Sequence, residues 1–123
     1  MKKKNTLLLF LCLFSLWAVA QEKKPVKIAC VGNSITYGSG IKNQFQNSYP
    51  GLLSQLLGEG YDVRNFGISA RVMLNKGDHP YMHEQKFRDL LAFQPDIVTI
   101  KLGTNDSKPW NWHYGKDFGK DLT

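Results

Sequence analysis

Lys27-Ile28-Ala29-Cys30-Val31-Gly32-Asn33-Ser34-Ile35-Thr36-Tyr37-Gly38 holds the change on which the fold turns. An apolar run stops at Gly-Asn-Ser, and a polar, glycine-bearing turn takes over. A short apolar run closed by glycine predicts a buried strand over residues 26–31 that delivers Ser34 to the rim of a sheet. To act as a nucleophile there, a serine needs a base for its proton, a group to orient that base, and donors for an oxyanion.

Downstream, residues 38–48 are rich in Gly, Asn, Gln and Ser and read as loop. Leu52, Leu53, Leu56 and Leu57 fall on one face of a helix over residues 49–57, with Pro50 in its first turn and Gly58 or Gly60 at its exit. Residues 61–66 alternate and then meet Gly67, which predicts a second strand. Residues 68–79 show little periodicity. Phe87, Leu90 and Leu91 mark one face of a second helix over residues 83–93, broken by Gln94-Pro95-Asp96. The β-branched run at residues 97–102 is a third strand, ended by Gly103.

Strand, helix, strand, helix, strand at these spacings predicts an α/β domain with a parallel sheet and right-handed crossovers. Ligands bind such sheets beyond the carboxyl ends of the strands. Gly32-Asn33-Ser34, Gly67-Ile68-Ser69 and Gly103-Thr104-Asn105-Asp106 each follow one strand end, so the topology brings them to one edge. The backbone N–H of Ser34, the N–H of Gly67 and the side-chain amide of Asn105 then converge as oxyanion donors beside a hydroxyl. Taken singly, each cluster has a plain structural reading as a turn or a helix cap. Together they favour a site. Asn33 and Asp106 flank the donors as candidate substrate contacts. Trp110 and Trp112, with Tyr114, follow the third cluster, either as a wall for a sugar ring or as ordinary packing under a loop.

Upstream, Met1-Lys2-Lys3-Lys4, a thirteen-residue apolar stretch and Ala18-Val19-Ala20 read as a secretory signal peptide over residues 1–20. The apolar stretch falls short of the roughly 20 residues that a spanning helix needs. The expectation is a secreted or periplasmic protein with no stable membrane anchor after cleavage, and one domain over residues 21–123. The 123 residues carry a net charge of +6, but residues 1–20 hold three lysines and no acid, so the remainder carries +3. That mild, unclustered excess gives no basic stripe for nucleic acid. Cys30 is left as a lone thiol inside an apolar run and reads as a small core residue.

Residues 32–36 are not G-x-S-x-G, because Thr36 stands fifth, and no phosphate-binding glycine motif is present. His79, His83 and His113 match no zinc spacing, so neither a metal nor a cofactor is expected.

At this point the residues resemble a known family. Gly32-Asn33-Ser34-Ile35-Thr36 is similar to the first block of the SGNH (GDSL-type) hydrolases, with Asn33 where Asp is commoner. Gly67 within Asn65-Phe66-Gly67-Ile68-Ser69 is similar to the second, and Gly103-Thr104-Asn105-Asp106 to the third. The resemblance covers about residues 26–113. It implies a three-layer α/β/α, flavodoxin-like fold, Ser34 as nucleophile, and Ser34 N–H, Gly67 N–H and Asn105 as oxyanion hole. Residues 101–112 most resemble secreted bacterial sialate O-acetylesterase-like enzymes, which implies a small-molecule or oligosaccharide ester as substrate. The family's fourth block, Asp-x-x-His, supplies base and orienter, and no Asp here has a His three residues later. The expectation is therefore the N-terminal part of the domain, with the C-terminal part missing, nearly inactive alone and with an unpaired apolar edge at residues 97–102. Two other readings remain: a lipase or thioesterase of the same fold, and a non-catalytic carbohydrate-binding remnant.

Overall fold

The first strand, β1 (Val26–Gly32), is the spine of the sheet. In the computed structural model, which describes residues 23–123, it lies between β2 (Tyr61–Gly67) and β3 (Ile97–Lys101). All three strands run parallel in the order β2-β1-β3. The signal peptide expected over residues 1–20 lies outside the described residues. As the central strand, β1 is covered on both faces, which is why its sequence is continuously apolar rather than alternating.

Among the described residues, six helices and two 3₁₀ turns lie around the three strands. A four-residue helix α1 (Ser34–Tyr37) leaves β1 directly, and α2 (Gln44–Asn47) and α3 (Tyr49–Leu57) precede β2. A 3₁₀ turn (Tyr81–His83) leads into α4 (Gln85–Phe93) before β3. After β3 come α5 (Pro109–Trp112), a 3₁₀ turn (Gly115–Asp117) and α6 (Phe118–Leu122). Gly58, at φ 74, closes α3, its N–H donating to the Ser54 carbonyl.

The strand register sorts side chains onto two faces. Ala29, Val31 and Phe66 share one face and form the core with Tyr81, Leu90 and Phe93. Phe66 and Phe93 pack with ring centroids 5.7 Å apart. Cys30, Asn65 and Thr99 share the other face, where Tyr49 of α3 reaches the Thr99 hydroxyl at 3.3 Å. The result is a parallel sheet with helices on both sides, the expected α/β/α arrangement.

Three expectations need correction. The leucine face of α3 is not buried: Leu52, Leu56 and Leu57 are exposed, because α3 meets its neighbours through Pro50 and Gly51 instead. On α4 the buried pair is Leu90 and Phe93, three residues apart on one stripe, while Leu91 turns outward. Residues 38–48 are not all loop, since α2 forms there behind a left-handed Asn43 at φ 52. Every residue of β3 is exposed, so the expected apolar edge is present over residues 97–101, while Leu102 packs against the core.

Candidate active site

Gly32 sits opposite Gly67 in β2 and opposite Lys101 in β3, so the three strands end side by side. The chain turns sharply after Gly32. A Cβ there would fall onto the Thr36 hydroxyl and within 2.8 Å of the Lys101 carbonyl, so only glycine fits. Ser34 is the first residue of α1. Asn33 caps that helix, its Oδ1 accepting the Ile35 N–H at 3.1 Å. Ser34 is half-buried, and its N–H donates to no backbone carbonyl among the described residues.

The second cluster is drawn against the first. The Ile68 N–H donates to the Gly32 carbonyl at 3.0 Å. The Ser39 and Ser69 hydroxyls are 2.7 Å apart. A Cβ on Gly67 would collide with the Tyr37 nitrogen and lie 2.7 Å from the Thr36 carbonyl carbon. Glycine is thus required here so that α1 can lie against β2. The Gly67 N–H is not idle, because it donates to Asn65 Oδ1 at 2.8 Å. Three residues on, Ala70 holds a left-handed φ of 66 on the exposed rim, and its N–H meets no backbone carbonyl among the described residues.

The third cluster closes the edge. Asn105 donates its side-chain amide to the Arg71 carbonyl at 3.1 Å, which places it beside the loop that follows Gly67. One of its two amide hydrogens is thereby used and one remains. Ser34, the loop 67–71 and Asn105 are therefore brought together.

Four other expected contacts fare differently. Asn33 and Asp106 are both enclosed and present no open surface to a ligand. Asp106 Oδ1 accepts the N–H groups of Met73 and Leu74, each at 2.8 Å, and so pins the loop after β2 to the loop after β3. Trp110 and Trp112 are well exposed. The Trp110 indole N–H donates to Asp78 at 3.1 Å, and Trp112 leans on Phe118 with centroids 6.2 Å apart. Among the described residues, Asn33 Nδ2, Thr36 Oγ1 and Asp106 Oδ2 are buried polar atoms with no hydrogen-bond partner.

Four residues that hold the site were not singled out from sequence. Asn65 bridges Gly67 and the Thr36 carbonyl, the latter at 2.8 Å. Asn111, buried, donates to Asp78 Oδ1 at 3.0 Å and the Asn105 carbonyl at 2.9 Å, and accepts the Asp78 N–H at 2.8 Å. Lys86 donates to the Gly67 carbonyl at 3.0 Å, and Tyr81 to the Phe66 carbonyl at 2.6 Å. For Asn65 a signal existed, since asparagine is depleted in strands and here stands two residues from a strand end. Burial acts most strongly on the Asp78 carboxyl and works to raise it. The hydrogen bonds from Asn111 and Trp110, with His79 adjacent, outweigh that and hold it below the usual range.

No hydrogen bond joins Ser34 to His79, His83 or His113, and the His113 ring packs edge-on to Tyr114. Among the described residues no three His, Cys, Asp or Glu side chains gather as metal ligands. No described helix is long and apolar enough to cross a membrane.

The GDSL-like lipase/acylhydrolase family matches residues 30–117, from within β1 to the turn before α6. An acetylxylan esterase of Xylanibacter ruminicola is 57% identical to this chain over 103 residues. That stretch is 84% of the chain and 22% of the relative, so the chain spans about a fifth of that relative's length. No solved structure matches the chain.

Proposed function

The chain belongs to the GDSL-like lipase/acylhydrolase family, and we propose that it is the nucleophile-bearing part of an exported esterase that removes acetyl groups from a polysaccharide of the xylan type. The observation that carries the reading is the meeting of Ser34 with the loop 67–71 and Asn105 at one rim, where the strands end in register. The acetylxylan esterase name of the relative supports the polysaccharide over the sialate ester or lipid. The leader-like residues 1–20 support export.

In this mechanism the Ser34 hydroxyl oxygen attacks the acetyl carbonyl carbon while its proton passes to a histidine base. The base is assigned to sequence other than these 123 residues, which contain no Asp-x-x-His. The negative oxygen of the tetrahedral intermediate is met by the Ser34 N–H, by the free hydrogen of the Asn105 amide and by an N–H of the loop after β2. We assign that third donor to Ala70 rather than to Gly67, whose N–H is already held by Asn65. Each such donor is worth about 2.7–4 kcal/mol in comparable sites. Collapse breaks the ester bond, and the sugar hydroxyl leaves with the proton from the base. Water then attacks the acetyl-serine through the same oxyanion site, releasing acetate.

The test uses protein that includes the histidine-bearing remainder. Acetate release from acetylated xylan falls by roughly 10³-fold or more in Ser34→Ala. Release that persists in Ser34→Ala would overturn the assignment.

A further inference from the structure

Between α2, α3 and the outer edge of β2 lies an open hollow of about 950 Å³. This is near the top of the roughly 300–1,000 Å³ of ordinary ligand sites. Tyr37, Gln44, Phe45, Gln46, Gln55 and Lys86 are among its lining residues. Phe45 is 92% exposed, an apolar ring held out into water beside a concave, amide-rich surface.

The ring stands on a rigid base. Gly51 of α3 lies so close to α2 that a Cβ there would collide with the Phe45 carbonyl and come within 2.7 Å of the Gln46 carbonyl oxygen. Gln55 donates to that same Gln46 carbonyl at 2.9 Å, and Asn47 ties the start of the segment to the Lys42 carbonyl at 2.7 Å. A platform already fixed costs little ordering on binding.

Chemistry selects among ligand classes. The cations of the hollow are engaged: Arg64 is paired with Asp62 at 2.8 Å, and Lys86 donates to the Gly67 carbonyl. That leaves one uncompensated ammonium, held against a neutral carbonyl and the Tyr37 ring, which is too little charge to select a polyanion. The amide oxygens of Gln44 and Gln55 still accept, and Gln46 keeps both its donor and its acceptor among the described residues. Side-chain amides beside an exposed aromatic ring match a ligand with hydroxyls on its edge and C–H groups on its face.

The hollow also lies next to the rim. Tyr37 lines it and lies three residues after Ser34 on α1, about 4.5 Å along the helix axis. Lys86 lines it too, bonds the Gly67 carbonyl and sits 5.7 Å from the Tyr37 ring centroid. We propose that this hollow is a second subsite that holds the neutral backbone of the polysaccharide, with a sugar unit stacked on Phe45, while the acetylated unit lies at Ser34. The choice of polysaccharide rests on the function proposed above.

The probe is unacetylated xylohexaose, which contains no ester and so reports binding without Ser34 chemistry. Calorimetric titration of the full chain is expected to show saturable binding. Phe45→Ala is expected to weaken it at least tenfold and Ser34→Ala to leave it unchanged. Because Phe45 is almost wholly exposed, Phe45→Ala keeps the thermal midpoint of the parent, which separates lost binding from lost fold. Absent binding, binding unaffected by Phe45→Ala, or a Phe45-dependent dimer in place of binding would each overturn the subsite. Failure of the esterase reading shows elsewhere, as acetate release that survives Ser34→Ala.

Discussion

Asn65 donates its side-chain amide to the Thr36 carbonyl at 2.8 Å and thereby fastens the helix that carries Ser34 to a strand 29 residues away. The same side chain accepts the Gly67 N–H. Asn65→Ala leaves both backbone groups without a partner in a half-buried place. It is expected to cost about 2–4 kcal/mol, as two stranded groups of this kind do. Urea unfolding measures it, and a loss below about 1 kcal/mol would show that water replaces the side chain freely.

Asp106 acts as a cross-link between two loops rather than as a substrate contact. Asp106→Ala strands the Met73 and Leu74 N–H groups in the interior and is expected to cost about 3 kcal/mol. Asp106→Asn keeps one acceptor oxygen and is expected to cost less. Equal losses for the two substitutions in chemical denaturation would mean that charge, not acceptance, is what the loops need.

Strands and site were legible for different reasons. Runs such as residues 26–31 and 97–102 announce themselves locally, since apolar β-branched residues bounded by glycine have few other uses. Parallel pairing then dictates that Ser34, the loop after Gly67 and Asn105 share an edge. The polar ties of Asn65, Asp106 and Asn111 span 2 to 33 residues and mostly reach backbone groups, which leave no mark in the partner's sequence. Helix faces were misread where the pattern was apolar but the packing partner was not opposite. Leu56 and Leu91 sit on helices whose contacts are made through Pro50 and Phe93.

Gly67→Ala tests the packing of α1 on β2. The added methyl meets the Tyr37 nitrogen and the Thr36 carbonyl carbon, both backbone atoms that cannot swing aside. The expected cost is about 1–3 kcal/mol, as for other overpacked sites. Displaced amide resonances at Tyr37 and Ser34 should accompany it. An unshifted spectrum with parental stability would place α1 farther from β2 than described.

Burial, with the nearby Glu84 charge second, holds the Tyr81 phenol well above its ordinary value. The unfolded chain therefore releases this proton first. The contribution to stability is full below the unfolded value of about 10 and is lost as pH rises beyond it. Tyr81→Phe removes the bond to the Phe66 carbonyl, costs about 1 kcal/mol at neutral pH, and flattens the decline of stability above about pH 10. Unfolding midpoints measured across that range check both halves, and an unchanged alkaline slope would remove Tyr81 from the account.

Ile97, Val98 and Ile100 are each 44–52% exposed on an edge strand. The chain on its own is expected to self-associate with rising concentration, and Val98→Lys to suppress this, because a charge on an edge strand opposes further pairing. Light scattering after size exclusion decides it. A monodisperse monomer at high concentration would show the edge to be harmless.

The loop after β2 draws its fastenings almost wholly from later sequence. Met73 and Leu74 bond Asp106, Asn75 bonds Asp121, Lys76 pairs with Asp117, and Asp78 bonds Asn111, at separations of 32 to 46 residues. Synthesis proceeds from the N-terminus. When β1, α1 and β2 have left the ribosome, the sheet can begin to pair and Ile68 can reach the Gly32 carbonyl, yet residues 73–78 still lack their partners. The nascent chain thus carries its serine before it carries the walls around it, and the site is assembled in one late step as residues 105–121 arrive.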